Sequence, residues 1–340
     1  MISPPEPQSE HPACDHRRPS STSKVKASRR FRELGIFLAL TAMVVCLLVL
    51  APGFRTVDNL INITRNFAFV GIVAMGMLLV MITGGIDLSV GSVWGATAVS
   101  TTSMLQAGWP SVVAIPLGLS IALGFGAFNG FCITRFRMPP FVPTLATLSI
   151  ARGLALVITR GHPIFNYGPD RKTFLHIGAG NLLGVPNPVV IFAVIALSVW
   201  FFLKKTIWGR YIYAIGGNER AASLTGLRVS QLKMFVYLSS AFLAGLAGIV
   251  EASYLSSVTA SLATGNELNV IAATVIGGTD LTGGQGTVPG VVIGTVILEL
   301  LRNGLLLLGV DPYWQSVFVG LVIVVAVLVD NLRKGSRLRW

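Results

Sequence analysis

The residue types that most often carry covalent chemistry are present in this chain without the spacing that chemistry needs. The four histidines, His11, His16, His162 and His176, fall in a polar N-terminal stretch or a polar loop, with no partner at metal-ligand spacing. Of the three cysteines, Cys14 lies in the polar stretch, and Cys46 and Cys132 lie inside apolar runs. That is neither a disulfide framework nor a zinc pattern. No G-x-G-x-x-G joins a strand to a helix and no G-x-x-x-x-G-K-[ST] occurs, so the chain brings no P-loop of its own. If ATP drives this protein, a separate subunit must hold the ATP and Mg.

What the sequence offers is mechanical. The octapeptide Gly84-Gly85-Ile86-Asp87-Leu88-Ser89-Val90-Gly91 recurs as Gly277-Gly278-Thr279-Asp280-Leu281-Thr282-Gly283-Gly284. Each copy closes an apolar helix on a Gly pair, then offers Asp87 with Ser89, or Asp280 with Thr282, as caps. Tight helix–turn–helix corners are the plain reading. Matched corners in two halves of a chain also suit a gate or a subunit interface, with a pathway between the halves. A second segment, Trp208–Gly226, contains Asn218-Glu219-Arg220-Ala221-Ala222-Ser223. Asn218 is a good N-cap, Glu219 sits favourably in a first turn, and Gly226 stops the helix. Two turns with Ala221 and Ala222 fit a shallow groove on another protein, or serve as a mere connector. So short a helix is marginal alone and must pack on something.

Charges inside apolar runs are expensive and are read as functional by default. Glu299 and Arg302, spaced i, i+3, can pair on one helix face. Arg152 and Glu251 lie near the ends of their runs, where snorkelling to the interface is expected. Asn66, Trp94, Phe128 and Asn129 supply hydrogen-bonding groups and aromatic faces suited to a polyol on a substrate pathway, or polar contacts between helices. Met75, Met77 and Met81 read as packing.

These residues need a membrane to position them. Of 340 residues 53% are hydrophobic and 12% charged, with a mean hydropathy of +0.72. Soluble domains carry about twice that share of charge, so an ordinary cytosolic enzyme is excluded. A bilayer core of about 30 Å takes roughly 20 apolar residues. Leu34–Phe54, Asn66–Ile86, Pro139–Thr159, Pro188–Leu203, Met234–Tyr254, Val288–Leu308 and Ser316–Val329 each suit one crossing. Leu88–Thr134 holds 47 uncharged residues, enough for two, broken at Ala107-Gly108-Trp109-Pro110. Leu268–Gly278 reaches only about 16 Å as a helix; it is kept as a crossing, extended by Ala260–Glu267, with a re-entrant half-helix as the alternative. The fold class is an all-α polytopic helix bundle of about ten spans.

Both termini then lie on one side, and the basic residues say which. On this topology 19 of the 26 Lys and Arg fall on the side of the termini and 5 on the other, so that side is cytoplasmic. The net charge of +12 therefore marks membrane orientation, not a nucleic-acid partner. Residues 1–33 read as a disordered basic cytoplasmic tail, 34–331 as the membrane domain with a long basic cytoplasmic loop at 204–233, and 332–340 as a second basic tail.

At Thr83–Ser92 (TGGIDLSVGS), Gly209–Glu219 (GRYIYAIGGNE), Gly277–Gly286, Asn303–Gly309 (NGLLLLG) and Ala326–Asn331 (AVLVDN), the chain resembles the permease subunits of bacterial ABC sugar importers of the ribose type. The likeness runs over roughly Asn59–Asn331; the basic N-terminal tail falls outside it. It implies a multi-pass protein of the bacterial inner membrane that works by alternating access on a monosaccharide or related polyol and breaks no bond itself. The implied partners are a cytoplasmic ATPase subunit, an extracytoplasmic sugar-binding protein and a second permease copy or paralogue. It also implies that the helix of Glu219–Gly226 resembles the coupling helix that docks into the ATPase. A proton-coupled sugar transporter, a membrane scaffold and a branched-chain amino-acid permease of the same class are the rivals.

Overall fold

A computed structural model describes residues 37–333, residue 39 excepted. The expected tail at 1–33, with its basic residues, lies outside the described residues, as do residues 334–340. Residues 332 and 333, expected in the second tail, belong to the last helix.

The helices are α1 (Leu40–Leu50), α2 (Val57–Ile82), α3 (Val90–Gln106), α4 (Ser111–Arg135), α5 (Phe141–Thr159), α6 (Arg171–Ala179), α7 (Asn187–Lys205), α8 (Ile207–Gly217), α9 (Glu219–Leu224), α10 (Val229–Leu255), α11 (Asn266–Ile276), α12 (Val288–Leu307) and α13 (Pro312–Arg333). A two-residue hairpin, β1 (Asn181–Leu182) with β2 (Val185–Pro186), joins α6 to α7. Among the described residues, six helices are long and apolar enough to cross a membrane: α2, α4, α5, α7, α10 and α12. This fits an all-α membrane bundle.

α2 is the axis of the bundle. From Ala68 to Ile82 every residue is buried, Met75, Met77 and Met81 completely. It starts at Val57, nine residues earlier than the apolar run suggests, because Thr56 caps it through the Asn59 N–H and Asp58 sits in its first turn. α10 packs on α2, α3 and α4 through small residues. A methyl at Gly76 would meet the Ser240 backbone at 2.9 Å, and one at Gly245 would meet Ala122 at 2.6 Å. In lipid, apolar surface gains little by leaving one apolar medium for another, so this close backbone approach carries the association. α4, α5 and α7 are mostly uncovered in the single chain.

Two features depart from the sequence reading. Of the expected extension Ala260–Glu267, only Asn266 and Glu267 join α11. Residues 256–265 run as irregular backbone, with Ser256 and Ala263 at φ 59° and 58°. This coil lies along α3, where methyls at Gly95 and Gly91 would meet the carbonyls of Leu262 and Ala263. Arg152 does not snorkel. Its guanidinium donates to the Ala260 and Leu262 carbonyls, the latter at 2.9 Å. Irregular backbone packed inside a helix bundle needs its polar groups satisfied by protein, and Arg152 does so for these two carbonyls. Coil and α11 together link the end of α10 to the corner ahead of α12. The polar loop 160–187 is likewise tied down: Ile164 and Val258 exchange backbone hydrogen bonds at 2.8 and 3.0 Å, and the Tyr167 hydroxyl donates to Ala252 O.

Candidate functional site

The two corners form, but their Asp and Ser/Thr residues do not cap the helices that follow: Ser89, at the start of α3, makes no side-chain cap bond, and α12 is capped by Thr287, because each aspartate is turned onto its own corner. At the first, Gly85 N donates to Val80 O at 3.2 Å and Gly84 adopts φ +77°; at the second, Thr279 N donates to Thr274 O at 3.1 Å and Gly278 adopts φ +83°. Both are glycine-terminated helix ends of one type. The left-handed glycine is thus Gly84 in one and Gly278 in the other. Gly84 and Gly277 align in the octapeptide, so the second turn is one residue shorter. The aspartates then act alike. Asp87 Oδ1 accepts from Ser89 N at 3.0 Å and Ser89 Oγ at 2.6 Å; Asp280 Oδ1 accepts from Thr282 N at 3.0 Å and Thr282 Oγ1 at 2.8 Å.

After Asp87 the chain enters α3 directly, whereas after Asp280 a Gly-rich loop reaches back to the first corner. Gly284 N donates to Ile82 O at 2.8 Å, a backbone bond between the two halves. The end of α8 lies over that bond. A methyl on Gly216 would fall well inside contact distance of both Ile82 O and Gly284 N, and one on Gly283 would meet Gly216 O at 3.0 Å. Tyr213 Oη, on the same helix, donates to Gly286 O at 2.8 Å. The corners and α8 therefore meet as one backbone junction.

α9 follows at once. Asn218 Oδ1 accepts from Ala221 N at 3.0 Å, and the helix closes with Leu227 N on Ala222 O at 3.3 Å and Gly226 at φ +83°. Glu219, in its first turn, is paired with Lys233 of α10 at 2.7 Å, the ion pair among the described residues that bridges these two helices. Ala222 is 6% exposed and packs into the main core. It anchors the helix from within. The outward face carries Arg220, Ala221, Ser223 and Leu224, the last 89% exposed. Sequence reasoning put Ala222 on the docking face and missed Leu224. It also missed α8 inside the basic loop, although Ile207, Tyr211 and Ile215 repeat at i, i+4, i+8.

A buried polar cluster braces the first corner. Ser240 Oγ donates to Asp87 Oδ2 at 2.8 Å, Asn129 Nδ2 to Ser89 Oγ at 3.0 Å, and Thr147 Oγ1 to Asn129 Oδ1 at 2.6 Å. It ties α4, α5 and α10 to the corner, and Asn129 is fully buried within it.

Asn66 and Trp94 lie elsewhere, lining a cleft of about 210 Å³ with Glu251, Glu299, Arg302 and Asn303. Asn129 and Phe128 are not among its lining residues, and Phe128 is 45% exposed on the outer side of α4. Glu251 does not snorkel; it faces the cleft. Glu299 and Arg302 share the cleft without closing an ion pair. One wall is held by a reciprocal amide pair: Asn59 Nδ2 donates to Asn303 Oδ1 at 3.1 Å and Asn303 Nδ2 to Asn59 Oδ1 at 2.7 Å. Outside the spans, Asp170 of the polar loop accepts from the Ser111 hydroxyl and, at 2.7 Å, from Ser111 N at the start of α4. These bonds from Ser111 lower its pKa below 3.8.

Residues 59–327 match the family model described as branched-chain amino acid transport system / permease component. The Escherichia coli K12 ribose import permease protein RbsC is 41% identical over 320 residues, covering 92% of this chain and 100% of that protein. The Bacillus subtilis RbsC is 42% identical over 304 residues, covering 89% and 94%. The E. coli D-allose transport system permease protein AlsC is 34% identical over 302 residues, covering 88% and 92%. No solved structure matches. The chain belongs to the branched-chain amino acid transport system / permease component family, within which these relatives are sugar permeases.

Proposed function

We propose that the chain is the membrane permease subunit of an ATP-driven, binding-protein-dependent importer of a monosaccharide or related polyol. One observation carries this reading: the family match over 59–327 holds both corners and α9, and it comes with RbsC relatives at about two-fifths identity across nine-tenths of the chain. A branched-chain amino acid cargo and proton-coupled uptake are both disfavoured by those relatives.

In this reading about ten spans cross a bacterial inner membrane with both termini inside, and two permease chains, identical or paralogous, form the pathway. ATP and Mg sit on a cytoplasmic ATPase subunit, and a soluble protein delivers the sugar from outside. Closure of the ATPase moves α9. The push passes through Asn218 to Gly216 and from there to the bond between Gly284 and Ile82, so the corners of both halves feel it together. Arg220, Ala221, Ser223 and Leu224 make the docking face, while Ala222, Asn218, Glu219 and Gly226 hold the helix in shape. The corners, with Gly84, Gly85, Gly277 and Gly278 at their turns, form the inner gate.

Reconstitution of the chain with its ATPase and binding protein in vesicles tests the proposal. Uptake of a sugar should need ATP and continue in the presence of a protonophore. Uptake that collapses with the proton gradient while ATP is intact would favour a symporter, and uptake of isoleucine in preference to sugars would favour the amino-acid permease.

A further inference from the structure

The cleft between α2, α3, α10 and α12 has an unusual inventory. Trp94 is 1% exposed, and its indole N–H lies beside the Glu251 carboxylate without closing a hydrogen bond to it, which leaves one equally buried Glu251 oxygen unpartnered. Both residues line the same cleft. A buried donor and a buried acceptor left open side by side are costly, and such orphans in a native protein call for an explanation. A bound hydroxyl group supplies one, since it donates and accepts at once.

The rest of the lining narrows the class. Glu299 adds a second carboxyl group with the Asn66 amide beside it, and Asn303, held by Asn59, adds a further polar wall. Two carboxyl groups stand against the single guanidinium of Arg302, so an incoming anion finds no spare cation, and a hydroxyl-rich neutral molecule finds acceptors for several O–H groups. Branched aliphatic side chains, by contrast, would leave the cleft's polar atoms unpaired.

We infer that this cleft is a binding station for a small neutral polyol on the import pathway, with Trp94 donating to one substrate oxygen, and Glu251 and Glu299 accepting from its hydroxyls. The inference rests on the sugar-importer reading above, and adds to it a place and a chemical selectivity within the permease itself.

The test is equilibrium binding of radiolabelled D-ribose, D-xylose, D-allose and myo-inositol, each alone, to the permease–ATPase complex in nanodiscs without any binding protein. At least one should bind saturably. Unlabelled neutral polyols should displace it; ribose 5-phosphate and isoleucine should not. Trp94→Phe, which keeps an aromatic ring but removes the N–H together with part of the indole, and Glu251→Gln should each weaken binding at least ten-fold in complexes that assemble with the ATPase as wild type does. Should Glu251→Gln fail to assemble, Trp94→Phe and the wild-type competition series decide. A wild-type complex that transports one of these sugars but binds none of them would overturn the inference and leave the importer reading standing, as would wild-type binding by both variants. Failure of the importer reading itself would show separately, as absence of ATP-dependent sugar uptake.

Discussion

Gly216→Ala isolates the junction beneath α9. On helix propensity alone the change should help, because Ala is favoured over Gly in a helix by about 1 kcal/mol. Gly216 has no left-handed φ to forbid a side chain. The obstacle is space. The added methyl would be driven into Ile82 O and Gly284 N, which are already joined by a 2.8 Å hydrogen bond. Both are backbone atoms and no rotamer change can clear them. Separating them forfeits that bond, about 1 kcal/mol net, and overpacking adds about 1–3 kcal/mol. Against the propensity gain, the balance is about 1–3 kcal/mol of destabilisation, concentrated where α8 meets both corners. Gly217→Ala is the matched control, since its methyl meets nothing within 4 Å. In vesicles carrying the full complex, Gly216→Ala should lower sugar uptake per ATP hydrolysed, and thermal unfolding of the permease should begin earlier; Gly217→Ala should unfold like wild type or slightly later. Wild-type unfolding and wild-type coupling in Gly216→Ala would refute the junction argument.

Ala222→Arg should destabilise the permease itself, because Ala222 is buried in its own core and an unpaired buried charge costs several kcal/mol; membrane abundance measures this. Leu224→Asp, on a side chain 89% exposed, should leave abundance intact and lose co-purification with the ATPase. Asp87→Ala strands three donor groups, Ser89 N, Ser89 Oγ and Ser240 Oγ, at about 1–3 kcal/mol for each that stays unpaired. It should therefore unfold earlier than wild type. Asp170 has a lowered pKa, so its contribution is present above pH 3.8 and fades only as pH falls through the lower folded value. The difference in unfolding temperature between wild type and Asp170→Asn should therefore be constant from pH 5 to 8 and shrink only in stronger acid.

The six long apolar helices were legible because uninterrupted apolar runs have one use, and the turn at Ala107–Pro110 was legible from Gly and Pro. The caps of α9 were legible because Asn218 and Gly226 act on near neighbours. What escaped depends on contacts distant in sequence. Nothing local says that Ile82 and Gly284 will share a hydrogen bond, or that Arg152 will hold the carbonyls of a coil more than 100 residues away. The facing of Ala222 against Leu224 is set by how α9 lies on the bundle, and a two-turn helix of small residues shows too little periodicity to fix it. Asn129 and Asn66 look alike in sequence, yet one braces the corner and the other lines the cleft. The unwound stretch 256–265 was hidden because its apolar composition suits a helix as well as a coil buried in protein.

The most direct test of the central claim is site-specific cross-linking from α9 to the ATPase in a transporting complex. A cysteine at Leu224 in a background without other cysteines, treated with a short bifunctional reagent, should link the permease to the ATPase subunit, whereas a cysteine at Ala222 should not. A Leu224→Cys complex that imports sugar at the wild-type rate yet forms no such link would contradict the claim that this helix couples the ATPase to the corners.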